Sequence, residues 1–222
     1  MEAINRYIDQ TILKPEATEQ DIVAFCEGVK IYRFYAACVN PCWVTFVRAE
    51  LPPDIKVCSV VGFPLGASST RAKVYAATDL IENGCDEIDM VMNIGKLKSK
   101  DFRYVGQEIR TIVRAISNKV LKVIIEACLL TDEEKKAAAR IIVEKGAHFV
   151  KTSTGFSKYG ADLRDVKMLR HIVGPDFGVK ASGGIRDYAS AKMFLHAGAN
   201  RIGTSAGVRI MQAQDRQHTN QK

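Results

Sequence analysis

Apolar residues along the chain gather in short blocks, and the stretches between them carry apolar positions at helical spacing. The blocks predict strands over Tyr7–Thr11, Ala36–Val39, Lys56–Gly62, Glu87–Met92, Lys122–Ala127, Phe149–Thr152, Gly178–Ala181 and Arg201–Thr204. Several, such as VCSVVGF and VIIEA, are almost wholly apolar, as expected of parallel strands covered on both faces. The intervening stretches carry helix signals. Thr18-Glu-Gln-Asp21 and Thr131-Asp-Glu-Glu134 read as capping boxes, and Asp187 as the cap of a helix running to Ala197. Gly146 and Gly198 follow helical stretches and precede strands, where a left-handed glycine belongs. Eight strands alternating with helices predict an α/β protein, a single (β/α)8 TIM barrel. The repeat is roughly 28 residues per unit, compact for a fold that typically uses about 250. No linker or composition break divides residues 1–210, which are expected to form one domain. The polar run 211–222 (MQAQDRQHTNQK) is expected to fray.

Composition narrows the function classes. The 222 residues are 47% apolar and 26% charged, ordinary for a globular protein. No apolar run approaches the roughly 18 residues that a membrane span needs. The start, MEAINRYIDQ, lacks the pattern of a secretory signal, so a cytoplasmic protein with no membrane partner is expected. The six cysteines, Cys26, Cys38, Cys42, Cys58, Cys85 and Cys128, are scattered through apolar segments and read as buried reduced thiols. Neither they nor the four histidines show ligand spacing, so no metal is expected. The net charge of +7 fits either nucleic acid or a small anion. Lys96, Lys98, Lys100, Arg103, Lys135, Lys136 and Arg140 have no interleaved aromatics and read as solvated helix faces. A small anionic substrate is therefore favoured over nucleic acid.

Active-site groups of parallel barrels sit at the C-terminal ends of strands and on the loops that follow. Lys151 in HFVKTSTG, Lys180 in FGVKASGG and Asp89 in CDEIDMVMN occupy such positions. Side chains alternate along a strand, so if the flanking Val150, Val179, Ile88 and Met90 face outward, these three point into the barrel. A lysine near a strand end is usually solvated and unimportant. Two in apolar strands, each followed by a glycine-bearing loop, are harder to dismiss. An interior lysine forced towards its neutral form is the standard nucleophile for carbonyl substrates. Two such ammonium groups about 5 Å apart repel by roughly 3 kcal/mol at an effective dielectric of about 20, which favours a free amine on one of them. The loops with Gly155, Gly183 and Gly184, and the last strand's Gly203-Thr204-Ser205-Ala206-Gly207, suit the close approach of backbone N–H groups to a phosphate.

The runs YIDQTILKP, ACVNPCWV, VVGFPLG, CDEIDMVMNIG, VKTSTGF, VKASGGIR and RIGTSAG resemble, in order, the motifs of the deoxyribose-phosphate aldolase family. They span residues 7 to 207, nearly the whole chain. The resemblance implies a Schiff base at Lys151, with Lys180 and Asp89 as proton donors and acceptors. It implies phosphate binding around Gly155, Gly183, Gly184 and Ser205, and it sets Asp9, Thr11 and Cys38 around the sugar end of the pocket. No cofactor and no metal are implied, and a homo-oligomer is the expected assembly. The implied reaction is reversible cleavage of 2-deoxy-D-ribose 5-phosphate to D-glyceraldehyde 3-phosphate and acetaldehyde. The alternatives are another Schiff-base barrel lyase or transaldolase on a different sugar phosphate, and a basic nucleic-acid-binding protein. The chain departs from some members in lacking a C-terminal tyrosine and in having Ala206 where a second serine can stand.

Overall fold

Near-continuous apolar strands need cover on both faces, and a closed ring of strands inside a ring of helices provides it. The structure, a computed structural model, describes residues 3–219. Eight parallel strands close in sequence order, with the last pairing with the first. They are β1 (Ile8–Ile12), β2 (Ala36–Val39), β3 (Lys56–Val61), β4 (Glu87–Val91), β5 (Val120–Ile124), β6 (Phe149–Lys151), β7 (Gly178–Ser182) and β8 (Arg201–Thr204). Outside them lie α1 (Glu19–Tyr32), α2 (Val44–Glu50), α3 (Thr70–Glu82), α4 (Ile94–Lys98), α5 (Phe102–Ala115), α6 (Asp132–Glu144), α7 (Leu163–Val173), α8 (Tyr188–His196) and α9 (Gly207–Thr219). Helix α9 runs through most of the stretch read as a polar tail, and residues 220–222 lie outside the described part.

Local signals set the helix starts. Both capping boxes form: Thr18 with Asp21 opens α1, and Thr131 with Glu134 opens α6. Asp187 accepts from the Ser190 N–H at the start of α8. The strand limits differ from expectation mainly at β5, which ends at Ile124 instead of Ala127. Ile125 N–H still bonds to Lys151 O, but Glu126 then turns left-handed (φ 47°, ψ 64°) and takes the chain off the barrel.

Two readings of exposure are corrected. Cys42 is exposed, because it sits on the 3₁₀ turn Pro41–Trp43 instead of inside a strand; Cys26, Cys38, Cys58 and Cys85 are buried and Cys128 half-buried. Lys135 is buried, not solvated: its ammonium reaches back to Asp132 and across to Asp165 of α7, at 3.2 and 2.6 Å. The main core lies between strands and helices, whereas the barrel interior holds only a small apolar cluster around Leu13, Cys38, Cys58 and Val60. Charged side chains fill the rest of it.

Candidate active site

Strand register sets the pair of lysines. Lys151 of β6 is the direct neighbour of Lys180 of β7, so their side chains leave the sheet on the same face, about one strand spacing apart. Asp89 of β4 pairs in register with Lys122 of β5, which brings a third ammonium to the same face. The three meet on one carboxylate. Lys151 Nζ donates to Asp89 Oδ2 at 2.6 Å and Lys180 Nζ to the same oxygen at 2.7 Å; Lys122 Nζ holds Oδ1 at 2.9 Å. All are fully buried except Lys151, which is 3% exposed. The network continues downward. Asp9 accepts from Lys180 (2.5 Å) and Arg201 (2.8 Å), and Glu87 from Arg201 (3.0 Å) and Lys122 (2.6 Å). The Arg201 guanidinium also lies over the Tyr35 ring, 3.5 Å from its centroid.

Charge and burial oppose each other throughout this cluster. Burial alone would raise the Asp89 carboxyl, but Lys122, Lys151 and Lys180 hold it well below the usual carboxylate range. Asp9 is likewise held down against burial, by Arg201, Lys180 and Lys122. Burial would push the Lys180 ammonium down, and Asp89 and Asp9 outweigh it and raise it. Lys180 is thus a firmly held cation. The formal balance is four cations (Lys122, Lys151, Lys180, Arg201) against three carboxylates (Asp9, Glu87, Asp89). One lysine can therefore lose its proton and leave the cluster neutral. Lys151 has a single carboxylate contact, where each other cation has at least two, and it alone of the four lines the cavity above.

That cavity, about 700 Å³, opens at the C-terminal end of the barrel and is also lined by Thr11, Gly155, Gly183, Gly184 and Ser205. The glycine turns after β6 and β7 lie back to back. Gly155 and Gly183 have φ of 86° and 89°, and a methyl group on Gly183 would come within 3.3 Å of Gly155 Cα, so a side chain is excluded for both reasons. Thr152 ties the two strand ends together: its Oγ1 donates to Ser182 O and accepts from Ser182 N–H. Exposed Arg186 and Lys14 bring positive charge to the cavity wall.

Asp9 and Cys38 lie outside this cavity. Asp9 is beneath the cavity floor, engaged by Lys180 and Arg201. Cys38 is fully buried in the barrel interior beside Cys58. A hydrogen bond from the Cys58 thiol lowers the Cys38 thiol against burial, with help from Lys180 and Lys151. At Ser205 the amides that follow are already engaged, Ala206 N–H by Thr204 Oγ1 and Gly207 N–H by Gln10 Oε1, both at 2.9 Å. Among the described residues one set of metal-type donors converges, Cys38, Cys58 and Asp89. Lys122 already sits 3.3 Å from Cys58 Sγ and 2.9 Å from Asp89, so a divalent ion there would have to displace an ammonium.

Lys122, Glu87 and Arg201 are site residues that the sequence pattern did not single out, as is Gln10, which lines the cavity. Glu87 did carry a signal: it lies two residues before Asp89 and so on the same face of β4. A lysine amid the apolar run of β5 is a comparable signal.

Known proteins match this arrangement over almost all of the chain. Residues 4–213 match the model of the DeoC/LacD family aldolases. A deoxyribose-phosphate aldolase of Streptococcus sanguinis (strain SK36) is 51% identical over 213 residues, covering 96% of this chain and 97% of the relative. Among solved structures, one described as QR15, an aldolase, superposes with a TM-score of 0.95 at 39% identity, each chain covered completely. The deoxyribose phosphate aldolase of Aeropyrum pernix, described as a unique tetrameric structure, gives a TM-score of 0.88 at 35% identity, covering 96% of this chain and 91% of that one.

Proposed function

The chain belongs to the DeoC/LacD family of aldolases, and from that premise we propose that it cleaves 2-deoxy-D-ribose 5-phosphate reversibly to D-glyceraldehyde 3-phosphate and acetaldehyde through a Schiff base at Lys151. The observation that carries this reading is the pair of buried lysines on one Asp89 oxygen, with only Lys151 facing a cavity walled by glycine turns. The neutral Lys151 amine attacks C1 of the open-chain aldehyde, and the carbinolamine loses water to give an iminium. The iminium accepts the electron pair of the C2–C3 bond as the C3 hydroxyl loses its proton, releasing D-glyceraldehyde 3-phosphate. The remaining enamine is protonated at C2, and water returns to free acetaldehyde and Lys151. Asp89 and Lys180 adjoin the Lys151 nitrogen and serve as the proton relay. The iminium stabilises the carbanion, the work a Lewis-acid metal does in other aldolases.

Phosphate is held by the backbone of Gly155, Gly183 and Gly184 with Ser205, while Thr11 faces the sugar. In this reading Asp9 acts from below by holding Lys180, and Cys38 packs under the floor. In this reading the chain forms one aldolase domain, and the boundary expected at residue 210 falls inside helix α9. No described helix is long and apolar enough to cross a membrane. The same reading has the enzyme in the cytoplasm as a homo-oligomer, with neither nucleic acid nor membrane as partner; the tetramer described for the Aeropyrum relative supports assembly. Borohydride reduction with acetaldehyde, followed by peptide mass spectrometry, tests the central step. One reduced two-carbon adduct is expected on Lys151, with turnover unaffected by prolonged chelation. Adduct on Lys180 with Lys151 untouched would overturn the assignment.

A further inference from the structure

One buried acid near the cavity takes no part in the charge cluster. Glu126, at the end of the segment that follows β5, is 2% exposed and has no cationic partner among the described residues. Its backbone is left-handed (φ 47°), a region that residues bearing a Cβ seldom adopt and that persists where surrounding contacts demand it. The carboxyl group is spent on one residue. It accepts from the Thr154 N–H at 3.3 and 3.4 Å and from the Thr154 hydroxyl through a short hydrogen bond. Thr154 Oγ1 in turn accepts from the Phe156 N–H at 3.0 Å, which folds the chain tightly around Gly155. Gly155 then rests against Gly183.

We infer that Glu126 is a positioning residue for the phosphate grip: through Thr154 it sets where the Gly155 turn stands against the Gly183 turn, and so it determines the preference for phosphorylated substrates. The inference rests on the aldolase reading above. A buried acid without partners is costly, so Glu126 and Thr154 hold one another in place. Among the described residues the Glu126 carboxyl group bonds only to Thr154, and Lys151 has supports of its own. Its strand is held by ladder pairing with β5 and β7, and its nitrogen by Asp89. Loss of Glu126 should therefore loosen the phosphate end of the cavity and spare the chemical end.

The test compares Glu126→Ala, Glu126→Gln and Thr154→Val with wild type. Four quantities are read: KM and kcat for 2-deoxyribose 5-phosphate, kcat/KM for 2-deoxyribose, the dissociation constant of inorganic phosphate by calorimetry, and borohydride trapping of acetaldehyde. In Glu126→Ala, KM for the phosphorylated sugar and the phosphate dissociation constant should rise at least about tenfold, as expected for lost binding common to ground and transition states. Values for the unphosphorylated sugar and for trapping should stay within about threefold. Thr154→Val should behave alike, and it keeps the test alive if Glu126→Ala does not fold. Glu126→Gln keeps a carbonyl acceptor and should recover most of the loss. Equal losses on both sugars, loss of trapping, or no change in phosphate affinity would each overturn the inference. Wild-type chain that binds phosphate but does not cleave the sugar phosphate would instead overturn the activity, with the phosphate constants still deciding the role of Glu126.

Discussion

Replacing Lys180 by leucine tests the charge balance on which the aldolase chemistry depends. Bound to one carboxylate oxygen at 2.6 and 2.7 Å, the Lys151 and Lys180 nitrogens lie no more than about 5 Å apart. At an effective dielectric of about 20 their mutual repulsion is roughly 3 kcal/mol, equivalent to about two decades in a protonation equilibrium. With Lys180 present, a neutral Lys151 leaves three cations facing three carboxylates. Without it, the same deprotonation leaves Asp9, Glu87 and Asp89 facing only Lys122 and Arg201, an uncompensated buried anion. Acetaldehyde trapping should move to alkaline pH by up to about two units, less what the apolar leucine returns by desolvation, and turnover at pH 7 should fall at least about a hundredfold. Lys180→Arg separates charge from proton transfer. It keeps the cation but does not give up a proton, so it should trap near neutral pH and turn over poorly. The assay is the pH dependence of borohydride trapping measured beside that of turnover, for wild type and both variants. A leucine variant with an unchanged trapping profile and near-normal turnover would refute the reasoning and reduce Lys180 to a structural residue.

Two further perturbations bear on the same cluster. Asp9 and Asp89 are held below their ordinary values in the folded chain, so the stability they contribute is complete above about pH 4 and is lost as pH falls through the folded values. The urea midpoint should drop progressively as pH falls below about 4, and Asp9→Asn should lose about 3–5 kcal/mol at pH 7 by removing one of the two carboxylates that hold each of Lys180 and Arg201; an acid-independent midpoint would contradict the first, and wild-type stability of the variant the second. Gly203 leaves no room for a side chain, since a methyl group there would overlap Ser182 Oγ and come within 3.0 Å of Lys180 Cε. Gly203→Ala should therefore cost about 1–3 kcal/mol in thermal or urea unfolding and reduce turnover, and near-wild-type kinetics would show that Lys180 has more freedom than this packing implies.

Features that depend on residues close together in sequence are legible in the chain by itself. The capping boxes at Thr18 and Thr131 join residues three apart, and alternation along a strand sends Lys151, Lys180 and Asp89 inward once Val150 and Val179 face out. The glycine turns after β6 and β7 are legible for the same reason: backbone with positive φ has a residue signature of its own. The partners of those groups are not. Asp9 and Arg201 are 192 residues apart and meet only because β8 closes on β1. In sequence Lys122 is a lysine in an apolar run and Lys135 one of a basic helix face, and neither pattern names the partners: one joins the charge cluster and the other crosses to Asp165. Glu126 is, in sequence, only an interruption of an apolar run; the left-handed turn is what aims it at Thr154. Sequence periodicity says which face a side chain leaves by. Which charges then share that interior is decided by barrel closure and register, because buried ionic groups are stable only with partners, and the partners come from distant strands.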